Sequence, residues 1–404
     1  MHRATRTLIN PWLASAARSF AQTTPQFRVG VAHDLDACAS AWRLLETHAA
    51  ATVFQTHAWL ETWQRTVGAA QGVEPRVALV RDAEGRLVMI LPLALERIMG
   101  VETLVWMARD EADYHAPLVS REFAAICTPT QIGKILHLVA DLVPEAKAIS
   151  LTKMLQDIQG TPNPLALAPH VPHPSSAHAI SLEAGFENIY AERISKKTRR
   201  KARRRRSRLE EFGPIKLAIA KTPAEQHEML NVILSQKAKW LADRGIKDPF
   251  AAESVQDFMH GLIDNPAARS SVHISTQLVG DEVVAGTYGY IRDGWFYAVI
   301  GSIIDGELAR HAPGTLHLHE KLRWCEANGF DTYDLTIGDE GYKSDWCDQH
   351  LDLLDIRLPL TVTGYLAIWP TRAFAAAKRF VKKSPRLLAI AMECRRLARG
   401  LLPT

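Results

Sequence analysis

The chain has 404 residues, 47% apolar and 23% charged, enough for two domain-sized cores. No apolar run approaches the ~20 residues that cross a bilayer as a helix. Five dispersed cysteines without a CxxC pair argue against a disulfide scaffold or zinc finger and for a reducing, cytoplasmic compartment. The net charge of +4 conceals a segregation: residues 1–33, 195–208 and 372–404 together hold +22, so the remainder carries −18. An acidic body with basic appendages predicts an anionic partner met at a few defined places. It argues against nucleic acid as a partner of the body.

In chain order, residues 1–26 read as a leader, Arg-bearing and acid-free, with its short apolar stretch broken at Asn10-Pro11. An N-terminal α/β lobe follows over 27–155, with strands at Phe27–Val31, Arg76–Arg81, Leu87–Leu95, Thr103–Met107 and Ala148–Thr152. Its helices fall at Leu35–Thr47, Ala58–Val67 and Pro129–Leu142. Residues 156–194 are expected to connect; five prolines crowd 156–178. His170, His173 and His178 lie there with no converging Cys or carboxylate, so no metal site is expected. A basic helix is expected over 195–212 and a second α/β lobe over 213–360. Its long helix Pro223–Arg244 has Thr222 as cap and Gly245 as stop. A meander follows over 273–300, then a helix Leu316–Asn328 and a strand Thr332–Ile337. Both halves share the order strand, helix, helix, antiparallel strands, helix, strand.

Two segments of the second half could carry chemistry. Pro313-Gly314-Thr315 precedes a helix, and free N–H groups at a helix start favour an anion such as a pyrophosphate. A Pro-Gly turn is also commonplace. Gly338–Trp346 (GDEGYKSDW) places Asp339, Glu340, Tyr342 and Lys343 just past a strand end, where α/β proteins place catalysis; a solvated turn has the same composition. Asp110–Tyr114 is a similar polar stretch in the first half. GxGxxG, GxxxxGK[ST] and GxSxG are absent, so a Rossmann site, a P-loop and a serine hydrolase have no support.

Together, the DY pair, ISKKTRRKARRRRSRLEEFG, APGTLHLHEKLRWCEANGFDTYDL and GDEGYKSDW resemble the GNAT-superfamily acyltransferases of the CelD/BcsL type, bacterial proteins of cellulose and exopolysaccharide biosynthesis. That type is related to the FemABX peptidyltransferases. The resemblance spans about residues 27–360 and implies an α+β chain of two GNAT-like lobes, joined by the Pro-rich connection and the basic helix. It implies acyl-CoA, such as acetyl-CoA, as co-substrate with no permanently bound cofactor, and a small-molecule or glycan amine or hydroxyl as acceptor. It places Pro313, Gly314 and Thr315 at the donor phosphates and Asp339, Tyr342 and Lys343 at the transfer site. Asp113, Tyr114 and Glu340 would line the acceptor side. The chain has only Gly314 where ordinary GNAT enzymes have a Gly-rich loop. A FemABX-like transfer from aminoacyl-tRNA and a catalytically silent, membrane-recruiting module are the alternatives. Lys343 and Asp339 are expected to act in transfer and not in folding.

The ten positive charges of Ser195–Arg208 could serve an anionic donor, acceptor or lipid surface. The tail 361–404 reads as amphipathic, with Trp369, Phe374, Phe380, Leu387 and Leu388 among its cations over 367–402, either an interfacial anchor or core-packing helices. An enzyme peripheral to the inner face of the membrane is the resulting expectation.

Overall fold

The computed structural model describes residues 12, 27–338 and 340–370. The expected leader, apart from Trp12, and the tail from 371 onward, with Phe374, Phe380, Leu387 and Leu388, lie outside the described residues, as does Asp339. The chain divides into two compact units, one from residues up to Ser175 together with those from Asp352 onward, the other Ser176–Leu351. Among the described residues no helix is long and apolar enough to cross a membrane.

The first unit holds a five-stranded and a six-stranded sheet. The helix Pro129–Leu142, boxed at its start by Thr128 and Gln131, sinks Ile132, Ile135, Leu136 and Val139 into the core of this unit. In the larger sheet Val101–Trp106 runs parallel to Ala148–Leu155, and Ala148–Leu155 pairs antiparallel on its other side with Leu353–Pro359. From sequence, 353–359 is expected to close the second lobe. Its alternation marks a strand, but its partner lies some two hundred residues away, and nothing local names it.

In the second unit the strands are β1 (Ala177–Ser181), β2 (Ile215–Ile219), β3 (Val272–Val279), β4 (Glu282–Arg292), β5 (Trp295–Ile303), β6 (Thr332–Ile337) and β7 (Gln349–Leu351). They form one sheet in the order β2-β3-β4-β5-β6-β1-β7, antiparallel except for the pair β5–β6. β1 falls in the stretch expected to be connection; its five residues, AHAIS, are too short and small to stand out beside the prolines. The helices are α1 (Phe186–Arg193), α2 (Lys196–Glu210), α3 (Pro223–Ala242), α4 (Glu253–Asp264), α5 (Pro313–Ala327) and α6 (Gly341–Trp346). α3 begins with the capping box of Thr222 and Glu225 on a proline first turn. The β4–β5 hairpin turns at Asp293-Gly294, both with positive φ, which Gly294 adopts freely. Ile180, Phe186, Phe296, Leu322 and Tyr333 share one core between sheet and helices.

The basic helix is α2, capped by Ser195, whose hydroxyl accepts from Thr198 N. Leu209 is its buried anchor, while Lys196, Lys197, Arg200, Lys201, Arg203, Arg204 and Arg208 are exposed. Arg206 pairs with Glu210 at 3.1 Å and with Glu320 of α5 at 2.6 Å, and Arg208 pairs with Glu211. Part of the charge is thus met locally.

Candidate active site

The site begins with the one parallel pair of the second unit's sheet. β5 and β6 bond over only three residue pairs, Trp295–Tyr297 against Thr332–Asp334, and then part. β5 continues to Ile303 and β6 to Ile337, so both present unshared backbone edges. Facing β4, β5 carries a bulge: Tyr288 pairs with Ile300 and Gly289 with Ala298, leaving Val299 as the extra residue. A bulge leaves its extra residue out of the ladder and twists the strand. Between the parting strands lies a cavity of about 510 Å³, lined by Val299, Gly301 and Ile303 on one side and Leu335, Thr336 and Ile337 on the other.

The cavity also receives the start of α5. The helix begins at Pro313, three residues before the expected Leu316, so Gly314 lies within its first turn and Thr315 is exposed beside it. The residue before it, Ala312, has φ 53° and ψ 56°, and no side chain caps the first N–H groups. Gly314 fits because a Cβ there would stand 2.8 Å from Ile303 Cγ2. Gly314 and Thr315 line the cavity; Pro313 is buried.

Opposite, the GYKSDW part of GDEGYKSDW folds as the short helix α6. Glu340, Tyr342 and Lys343 all line the same cavity. Lys343 is only 3% exposed, contrary to the expectation of a residue outside the core. Its ammonium donates to Thr336 O and Ile337 O, each at 3.3 Å, and meets Glu340 Oε2 at 2.8 Å. Two carbonyls at the end of β6 are thus taken by a lysine six and seven residues on. Tyr342 is half exposed; burial, then Glu340, pushes its phenol up to about 12, so it remains protonated at neutral pH. Lys237 and Trp240 of α3 complete this side, the ammonium 4.9 Å from the ring centre. Burial lowers the Lys237 pKa, and Glu340 opposes it.

Behind the cavity runs a buried polar row that sequence reasoning missed. His317 of α5 lines the cavity, with Nε2 3.0 Å from Thr287 Oγ1 of β4. One turn further, Lys321 is fully buried, 2.7 Å from His273 Nε2 and over the rings of Trp324 and Phe296 at 4.0 and 4.3 Å. Burial pushes the Lys321 ammonium down to about 7 and keeps His273 neutral. The available signal was spacing: His317 and Lys321 fall at i and i+4, on the face that carries Leu322 and Cys325 into the core.

Asp113 and Tyr114 belong to the first unit. There the strands Val101–Trp106 and Ala148–Leu155 bond in parallel over Thr103–Val105, and the chain then returns so that His115 N donates to Lys153 O at 3.0 Å and Leu155 N to His115 O at 3.3 Å. The edge that stays open in the second unit is occupied here by the chain's own backbone. Tyr114 is 1% exposed, edge-on to Phe54, and its carbonyl accepts from Gln55 Nε2. Asp113 lies near Lys153, whose pKa burial lowers and Asp113 raises. Among the described residues no group of three or more His, Cys, Asp or Glu is placed to hold a metal. His170 and His173 each bond a nearby carbonyl, Ala168 O and Ser175 O.

Comparison with known proteins agrees with this geometry. Residues 196–344 match the acetyltransferase (GNAT) domain. Among solved structures the chain is similar to FemX (TM-score 0.53, 9% identity, 80% of this chain and 96% of that one). It is also similar to the C-terminal domain of an Agrobacterium fabrum chain assigned as a lysylphosphatidylglycerol synthetase (0.51, 8%, 85% and 96%). A Bacteroides thetaiotaomicron protein of unknown function aligns equally well (0.51, 10%, 82% and 100%). No curated protein matches the sequence. At these identities the likeness is one of fold: the chain is α+β, two GNAT-like lobes, of which the second contains the match to the GNAT acetyltransferase domain.

Proposed function

We propose that the second lobe transfers an acyl group from acyl-CoA to an amine or hydroxyl, and that acetyl-CoA is a suitable donor. The observation that carries this reading is the parting of β5 and β6 over a cavity that also takes the uncapped start of α5. Unshared strand edges suit an amide-bearing arm, and helical N–H groups suit a diphosphate. Attack on a thioester requires a proton acceptor and a partner for the oxyanion. Asp339 and Glu340 are the carboxylates we assign to the first task. To the second we assign a backbone N–H at the Val299 bulge, and to Tyr342, which stays protonated, the return of a proton to the leaving sulfur. We take Lys343 to shape this end of the cavity. On the resemblance to CelD/BcsL-type proteins, the acceptor we expect is a sugar or polysaccharide precursor.

The strip of exposed cations on α2 favours a second reading, in which the helix holds the phosphates of an aminoacyl-tRNA donor. Calorimetry with acetyl-CoA and with charged tRNA separates the two. Acetyl-CoA should bind and be consumed with a sugar amine or hydroxyl; binding of charged tRNA alone refutes the acyl-CoA reading. Asp339→Asn and Glu340→Gln then identify the base by which one abolishes turnover.

A further inference from the structure

His317 has an unspent polar atom. The residue is 4% exposed and lines the cavity, and Nδ1 has no hydrogen-bond partner among the described residues. A buried polar atom without a partner costs stability unless something else supplies the bond. The other ring nitrogen is committed, 3.0 Å from Thr287 Oγ1. A neutral imidazole carries its proton on Nδ1 where the Thr287 hydroxyl donates to Nε2, and offers Nδ1 as an acceptor where Nε2–H donates to Thr287; in either form Nδ1 has one hydrogen bond to give or take. Burial, reinforced by Lys321, pushes His317 down to about 3, so the ring is neutral at working pH.

The place of this nitrogen defines what it meets. A helical side chain leans over the turn N-terminal to its own Cα, so His317 covers the turn that begins at Gly314. Thr287 sits opposite Gly301 in the β4–β5 ladder. Two residues without side chains, Gly301 and Gly314, thus flank this ring, which lies three residues and about 4.5 Å along the axis from Gly314.

We propose that His317 Nδ1 hydrogen-bonds an amide group of the amide-bearing arm of bound acyl-CoA, next to the diphosphate seat at Gly314. The inference rests on the acyl-CoA reading above and adds a binding residue to it. Asparagine and glutamine separate the two nitrogens: Asn places its amide near Nδ1, Gln near Nε2.

The test is calorimetry on the full chain with acetyl-CoA and with adenosine 3′,5′-bisphosphate, which carries the nucleotide but no amide arm. His317→Asn should bind acetyl-CoA within about twofold of wild type. His317→Gln should bind it about tenfold more weakly, which corresponds to about 1.4 kcal/mol. All three proteins should bind the bisphosphate equally, which shows the nucleotide seat intact. Equal acetyl-CoA affinity in His317→Gln and wild type overturns the assignment. So does loss of bisphosphate binding in step with acetyl-CoA, because the effect is then on the fold. If wild type binds neither ligand, the acyl-CoA reading itself fails, and the assignment fails with it.

Discussion

Replacing Lys343 by methionine tests whether the ammonium holds the cleft open or only serves chemistry. Methionine keeps most of the volume and removes the charge. Three bonds go: those to Thr336 O and Ile337 O, and the ion pair with Glu340. The Glu340 side chain is 58% exposed, so that pair contributes about 0–1 kcal/mol. The two carbonyls lose their donor beside a buried side chain, at about 1 kcal/mol or somewhat more each. Their sum is about 2–4 kcal/mol. For a unit the size of Ser176–Leu351 each kcal/mol moves Tm by roughly 2–4 °C, so Lys343→Met should melt roughly 5–15 °C below wild type. Scanning calorimetry reads this directly, and turnover should fall by about a hundredfold or more in the same variant. A variant that melts within 2 °C of wild type but is inactive refutes the structural role and returns Lys343 to the transfer step alone.

Gly314→Val should weaken acetyl-CoA binding more than tenfold in calorimetry; Gly314→Ala, with its Cβ 2.8 Å from Ile303 Cγ2, should do so less and should recover when combined with Ile303→Ala. Lys321 titrates near 7 when folded and near the ordinary lysine value when unfolded, so the unfolded chain holds the extra proton between those values. The penalty of burying the charge is full below about pH 7 and fades as pH rises, so wild-type Tm should gain on Lys321→Met from pH 7 to 10 in a melting series. Vesicles containing phosphatidylglycerol should retain the protein at low salt and release it as salt rises, and Arg200→Ala/Arg203→Ala/Arg204→Ala should flatten that dependence. Equal retention on neutral vesicles would defeat the electrostatic account of α2.

The sequence made local features of the second lobe legible. Thr222 and Glu225 announce α3, Asp293-Gly294 the hairpin, and the alternation of Thr332–Ile337 a strand found with those same bounds. Pro313-Gly314 and GDEGYKSDW stand out in the sequence as candidates, and the structure brings Gly314, Thr315, Glu340, Tyr342 and Lys343 around one cavity. What could not be read is whatever depends on partners far along the chain. Lys343 is buried against the carbonyls of Thr336 and Ile337 at the end of β6, a contact that no residue pattern announces. Tyr114 looked like a site residue because polar neighbours surround it in sequence, yet its ring packs on Phe54. His317 and Lys321 appeared as ordinary polar positions of a helix until β4 and β3 supplied Thr287 and His273.

The strand Leu353–Pro359, every residue of it buried, sets the order in which a growing chain can mature. Its neighbours Ala148–Leu155 and Val171–Pro172 leave the ribosome long before it does. Until the whole of Ser176–Leu351 has been made, the strand Ala148–Leu155 presents an unpaired edge, the kind of surface that recruits other chains. The lobe translated first is therefore the lobe completed last. A premature stop near residue 350 would strike not the unit just finished but the one begun at the start of synthesis, leaving an apolar edge where a central strand should be. Fragments ending there should form inclusion bodies, and a synthetic 352–361 peptide, supplied in trans, is the reagent that should rescue them.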